Sequence, residues 1–291
     1  MRPPAVAGSF YPEDADALAR EVEACFTHAL GPGRAPSTAG GPRTLRALVV
    51  PHAGLAYSGP IAAHAYAALA HDGLPDGVVV VGPNHAGFGG LADLSTQAWR
   101  TPLGVAAQHA GLRAALEGGI VTADDDAHAP EHSVEVQVPF LQWLGRRAGR
   151  DVPFVPVLMG LQDETTTEEL AEALAGAVQR SGVDAVLIAS SDLEHAGPNY
   201  SVRPPRGIAV DQFARAQDER ALKAIEALDP AKLLDEVRRH EITMCGAGPV
   251  AAVLGAAKRL GASEARVLAH ATSYDVKPHH SCVGYAAVAV R

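Results

Sequence analysis

Four short apolar runs divide the chain, at residues 45–50, 78–81, 152–158 and 185–189. They are continuous and rich in Val, the pattern of strands covered on both faces. Between them the apolar positions recur with a helical period, over residues 61–70, 132–144 and 168–179. Pro139 delays or kinks the second of these helices. Thr166 and Glu169 make a capping box ahead of the third. Strands alternating with helices predict βαβ units and a largely parallel sheet. The later chain is more helical. Residues 210–228 and 230–240 are charged and amphipathic, and Pro230 suits the first helical position behind Asp229. Residues 250–260 form another helix, and 282–290 a last strand that closes the sheet. The Gly-, Pro- and Ser-rich stretch 31–42 reads as a surface loop. The N-terminal arm, with Ser9-Phe10-Tyr11-Pro12, packs back onto the body. Residues 1–291 are expected to form one α/β domain.

The chemistry-bearing residues gather just after the strands. Pro51-His52-Ala53-Gly54 follows the first run, Pro83-Asn84-His85 the second and Ser190-Ser191-Asp192 the fourth, with His195 three residues on. Met244-Cys245-Gly246 precedes a helix. In open α/β sheets ligands bind at the carboxyl ends of strands, so these side chains are candidates for one metal-centred site. Imidazole suits Zn, Cu, Fe and Ni, and thiolate favours softer ions. One loop histidine usually makes a local hydrogen bond; two at equivalent strand ends point to a ligand pair. Cys245 would complete a two-His-one-Cys set with an open position, as in catalytic sites. Its bland alternative is a small buried hydrophobe.

His195 is a candidate general acid or base, since imidazole titrates near working pH. A neighbouring Asp192 would orient it, while Ser191 or Asp192 could equally be an ordinary helix N-cap. Glu131 and Glu135 flank His132 at the start of a helical stretch. They are candidate supports for a metal-bound His, or first-turn acids that complement the helix dipole. His279 and His280 are adjacent, so at most one is expected to face the site.

Composition narrows the partners. Net charge is −9 and no basic cluster occurs, which argues against nucleic acid. No apolar run reaches the length of a membrane span, and the N-terminus lacks the pattern of a secretory leader. Three cysteines, Cys25, Cys245 and Cys282, make no disulfide framework, so a reducing, cytoplasmic setting is expected. There is no Gly-x-Ser-x-Gly elbow and no Gly-rich phosphate loop.

Taken in order, Ala7-Gly8-Ser9-Phe10-Tyr11, Pro51-His52-Ala53-Gly54, Tyr57-Ser58-Gly59, Gly82-Pro83-Asn84-His85, Glu131-His132-Ser133-Val134-Glu135, Ser190-Ser191-Asp192 with His195, and Met244-Cys245-Gly246 resemble the Memo family. That family includes protein B of the AmmeMemoRadiSam system. The resemblance implies a three-layer α/β sandwich with a largely parallel or mixed central sheet, the LigB-like fold of class III extradiol dioxygenases. Those enzymes hold non-haem iron with two His and one Glu, and Memo-like chains carry Cys for the Glu. The implied ligands are His52, His85 and Cys245, with His195 as acid–base residue beside Asp192. Phe10, Tyr57, Asn84, His132 and Ser191 are the implied substrate-facing residues. The implied cofactor is iron or copper, with zinc as an alternative. A dioxygenase-like oxidoreductase acting on a small molecule or peptide is the first functional expectation. A non-catalytic partner protein, for example of a radical-SAM enzyme, is the second, and a metallohydrolase the third. Animal members carry Trp where this chain has Phe10, which lacks the indole N–H donor, so phosphopeptide binding does not transfer.

Overall fold

The computed structural model describes residues 1–291 except 39 and 41. Part of the loop expected at 31–42 therefore lies outside the described residues. The chain opens with α1 (Ala15–Thr27), β1 (Ala47–Val50), α2 (Leu55–Asp72), β2 (Gly77–Pro83) and β3 (Ala92–Leu94). A hairpin of β4 (Trp99–Thr101) and β5 (Gly104–Ala106) leads to α3 (Ala110–Leu116), β6 (Val121–Ala123) and α4 (Asp125–His128). Next come α5 (Val138–Ala148), β7 (Phe154–Met159), α6 (Glu164–Ser181), β8 (Ala185–Ser190) and β9 (His195–Ala196). The last third holds α7 (Val210–Glu226), α8 (Pro230–Arg239), α9 (Ala247–Arg259), β10 (Ala265–Thr272), α10 (Ser273–Val276) and β11 (Cys282–Val290).

The central sheet is mixed and runs β10-β11-β1-β8-β2-β7-β3-β6. Its middle, β1-β8-β2-β7, is parallel. The edges turn antiparallel, β11 against β1 and β3 against β7. Side chains alternate along each strand, so the two faces feed two cores. Leu48, Val50, Val78 and Val80 face the layer of α1, α2 and α5. Ala47, Val49, Val79 and Val81 face α6, α7, α8 and α9. Both faces being covered explains why these strands read as unbroken apolar runs. The result is the three-layer α/β sandwich that the family resemblance implies, its sheet mixed where strand–helix alternation alone predicted a largely parallel one.

Several local expectations need correction. Helix α2 begins at Leu55 and carries Pro60 inside it. Burial of Leu55, Ser58 and Gly59 outweighs the proline's missing N–H. Residues 132–144 are not one helix: a 3₁₀ turn at Glu135–Gln137 precedes α5, with Pro139 in the first turn. Helix α6 starts at Glu164, capped by Asp163, whose side chain accepts from the Thr166 N–H, so the Thr166–Glu169 box is not its cap. No helix follows Ser191 or Asp192; the chain runs through a loop into β9.

Candidate functional site

Adjacent parallel strands β1, β8 and β2 end at the same edge of the sheet. His52, Asp192 and His85 each lie just past one of these ends. With neighbouring strands spaced about 4.8 Å apart, the register alone places the three side by side. The His52 and His85 rings stand 5.4 Å apart, centroid to centroid. Cys245 arrives from the opposite layer, on the loop before α9, and its Sγ is 3.2 Å from His52 Nε2. Gly246 makes that approach feasible. A Cβ there would lie 2.7 Å from Ser191 Cβ, and the Gly246 N–H donates to Ser191 Oγ at 3.0 Å.

One ligand atom from each of His52, His85 and Cys245 falls within 4.8 Å of the other two. The surroundings set which imidazole nitrogen is available. Ser190 Oγ donates to the Ser133 carbonyl at 2.6 Å and accepts from Gln137 Nε2 at 2.8 Å. Its one hydrogen is thus committed, so it accepts from His52 Nδ1 at 3.0 Å. That leaves His52 Nε2 with its lone pair beside the thiol. The His85 Nδ1 contact with Glu131 Oε1, at 3.0 Å, orients His85 in the same sense. Such outer partners orient metal-binding histidines and raise their basicity. A soft or borderline cation fits this donor set: two oriented imidazoles and a thiol.

Glu131 is the organiser. Its buried carboxylate also accepts from the backbone N–H groups of His85 at 2.5 Å, His132 at 2.7 Å and Ser133 at 2.8 Å. Burial alone would push its pKa up. Hydrogen bonds from His132 and His85 outweigh that and hold the carboxyl well below its ordinary range. Burial also pushes His52 down to about 4, favouring neutral imidazole. The Cys245 thiol is pushed up by burial and then by the Asp192 charge. It therefore keeps its proton until a cation displaces it.

His195 lines the cavity in front of this cluster. Its Nδ1 faces the carbonyl oxygens of Leu193 at 2.9 Å and Thr243 at 3.0 Å. Carbonyls only accept, so Nδ1 carries the hydrogen and Nε2 is left to exchange a proton. Asp192 does not orient this ring as the sequence suggested. Its Oδ1 accepts from the backbone N–H groups of His52 at 2.8 Å and Ala53 at 3.3 Å, which fixes the His52 loop.

The cavity measures about 710 Å³. Phe10, Tyr57 and His132 line it, as do Asp192 and His195. Phe10 lies 4.7 Å from the His132 ring, which stacks on His85 at 4.8 Å. Asn84 is not on the wall: its side chain closes its own loop onto Phe88 and Gly87. Ser191 is likewise behind the wall, donating to the Asp192 carbonyl and holding Gly246. Glu135 contacts neither His52 nor His85. It pairs with Arg2 at 2.6 Å and accepts from the Tyr11 hydroxyl at 2.5 Å, so it anchors the N-terminal arm that brings Phe10 to the cavity. Glu131 lies between α4 and the 3₁₀ turn, whereas Glu135 opens that turn as its first-turn acid while its carboxylate also pairs with Arg2. His279 lines the cavity and His280 does not. They lie in a turn before β11, not in a strand. Sequence reasoning missed Gln137, Tyr200, Lys277 and Tyr285. Gln137 is buried within the site's support and the other three lie on the cavity wall.

Fold and site together define a three-layer α/β protein with a His–Cys cluster at the carboxyl edge of its sheet. The chain belongs to the Memo family: the family described as Memo-like protein matches residues 2–289. It is 44% identical over 294 residues to a MEMO1 family protein of Methanopyrus kandleri, covering 100% of this chain and 99% of that one. It is 42% identical over 290 residues to a MEMO1 family protein of Methanothermobacter thermautotrophicus, covering 98% and 99%. An uncharacterized protein of Escherichia coli K12, known from a crystal structure, has a similar fold. Its TM-score is 0.55 at 16% identity, over 84% of this chain and 99% of that one. No helix among the described residues is long and apolar enough to cross a membrane.

Proposed function

We propose that this protein is a metal-dependent oxidoreductase whose iron or copper ion is held by His52, His85 and Cys245. The observation that carries the reading is the convergence of two oriented imidazoles and a thiol within 4.8 Å, facing a cavity of small-molecule size. A closed structural site would use a fourth protein donor; three leave room for substrate. The bound ion would supply redox or Lewis-acid chemistry at the cavity floor.

The chain's own groups do the rest. Cys245 gives up its thiol proton on metal uptake, so affinity rises with pH. His195, held with Nδ1 protonated, accepts a substrate proton at Nε2 and returns it. Phe10 and Tyr57 offer aromatic faces to the bound molecule. Glu131 holds the His85 ring with Nε2 available, and Asp192 keeps the His52 loop in place.

The test is a metal titration of single variants. Cys245→Ser is expected to weaken binding strongly, while Cys25→Ser, at a thiol packed against α2, leaves it unchanged. Equal affinity in both variants would remove Cys245 from the ligand set and with it the redox reading.

A further inference from the structure

Behind the site lies a pair of buried acids that the ligand set does not use. Glu194 and Asp218 are both fully buried. Glu194 sits next to His195 in sequence, but its side chain turns away from the cavity and reaches the segment that leads to Cys245. Its Oε2 accepts the Thr243 N–H at 2.9 Å. Thr243 is in turn wrapped around His195. Its Oγ1 accepts from the His195 N–H at 2.8 Å and donates to the His195 carbonyl at 3.1 Å. Its own carbonyl is one of the two oxygens that hold His195 Nδ1. Asp218, on α7, fixes Glu194 from behind, accepting the Glu194 N–H at 2.9 Å and pairing with His270 at 2.8 Å. This packing leaves no slack: a Cβ on Gly284 of β11 would lie 2.0 Å from Asp218 Oδ2.

Such a pair is costly. Buried carboxylates lose hydration, and Glu194 Oε1 has no hydrogen-bond partner. Stability alone would favour apolar side chains here. What the acids do provide is a rigid link between two loops that come from distant parts of the chain.

We propose that Glu194 is a positioning residue that locks the His195 loop to the Cys245 loop through Thr243, with Asp218 holding Glu194 in register. The proton-transfer nitrogen and the thiol ligand are thereby set relative to each other by one carboxylate. The proposal deepens the metal-site reading above and rests on it for the role of Cys245.

Two readouts test it, cobalt(II) titration followed by the thiolate-to-cobalt absorption, and ¹⁵N chemical shifts of the His195 ring in metal-free protein. Glu194→Ala should bind cobalt(II) about 10-fold or more weakly, the scale for loss of an outer partner. It should also lower the share of the Nδ1–H tautomer. Glu194→Gln should restore both, because its amide oxygen can still accept from Thr243. Should Glu194→Ala fail to fold, Thr243→Val removes the hydroxyl bridge to His195 with little change of shape and should lower the Nδ1–H share. Leu69→Ala, in the core of α2, serves as a destabilised control and should keep wild-type cobalt binding. Wild-type affinity and tautomer in Glu194→Ala would overturn the proposal, as would an equal loss in Leu69→Ala. If wild-type protein takes up no cobalt, the metal reading fails. The tautomer measurement then decides the positioning role alone.

Discussion

Glu131→Gln is the most informative single change near the cluster. The substitution keeps shape and removes one acceptor oxygen. Oε1 serves His85 Nδ1 and the His132 and Ser133 N–H groups, while Oε2 serves the His85 N–H at 2.5 Å. A glutamine can present its carbonyl to only one of these groups of donors. In the better orientation its NH₂ meets the His85 N–H, donor against donor, in a buried place. The loss is one hydrogen bond to a charged acceptor plus an unsatisfied N–H, about 2–3 kcal/mol. For a chain of 291 residues that lowers Tm by roughly 3–5 °C. The negative charge beside His85 goes too, so if His85 is a ligand as proposed, metal affinity should fall about 10- to 100-fold. Thermal denaturation of metal-free protein reads the first effect and a competition titration with zinc(II) the second. A variant with unchanged Tm and unchanged zinc affinity would refute the role of Glu131 as organiser of His85.

Three further outcomes follow from the geometry. His128 is buried, with its pKa pushed down to about 4 from the ordinary 6.5 by burial. Between those values the unfolded chain binds a proton that the folded one does not, so stability falls as pH drops from 6.5 to 4. His128→Gln should flatten that loss by up to roughly 3 kcal/mol in urea denaturation at the two pH values; equal slopes would count against it. Arg2 donates to Glu135 at 2.6 Å and to the His128 and Glu131 carbonyls at 2.7 and 2.6 Å. Arg2→Met leaves a buried carboxylate without its cation and should cost about 3–5 kcal/mol, against the few tenths typical of a solvated N-terminal residue. His195→Ala should keep metal and lose turnover once a substrate is found, whereas loss of metal would make His195 a ligand.

The parts legible in the sequence are those with a local signal. His52 and His85 each follow an unbroken apolar run, and Cys245 sits among glycines ahead of a helix, so strand ends and loop composition were enough to gather them. Helix α1 was not foreseen, although Leu18, Val22, Cys25 and Phe26 recur at helical spacing behind the Asp14 cap. The three-residue strands β3 to β6 carry no such period, because strands this short have too few positions for alternation to show. The support behind the His–Cys cluster was out of reach for a different reason. Gln137 meets Ser190, Glu131 meets His85 and Glu194 meets Thr243 across long stretches of chain. Only the sheet order brings them together. Asn84 and Ser191 show the converse: their neighbours in sequence line the site, yet both side chains are spent on holding loops.

The central claim is that His52, His85 and Cys245 hold one redox-active ion. Its most direct test is elemental analysis of anaerobically purified wild type beside Cys245→Ser. The account predicts near-stoichiometric iron or copper in the wild type and its loss in the variant. Wild-type protein that carries neither metal after reconstitution, or a variant that carries as much as the wild type, would contradict it.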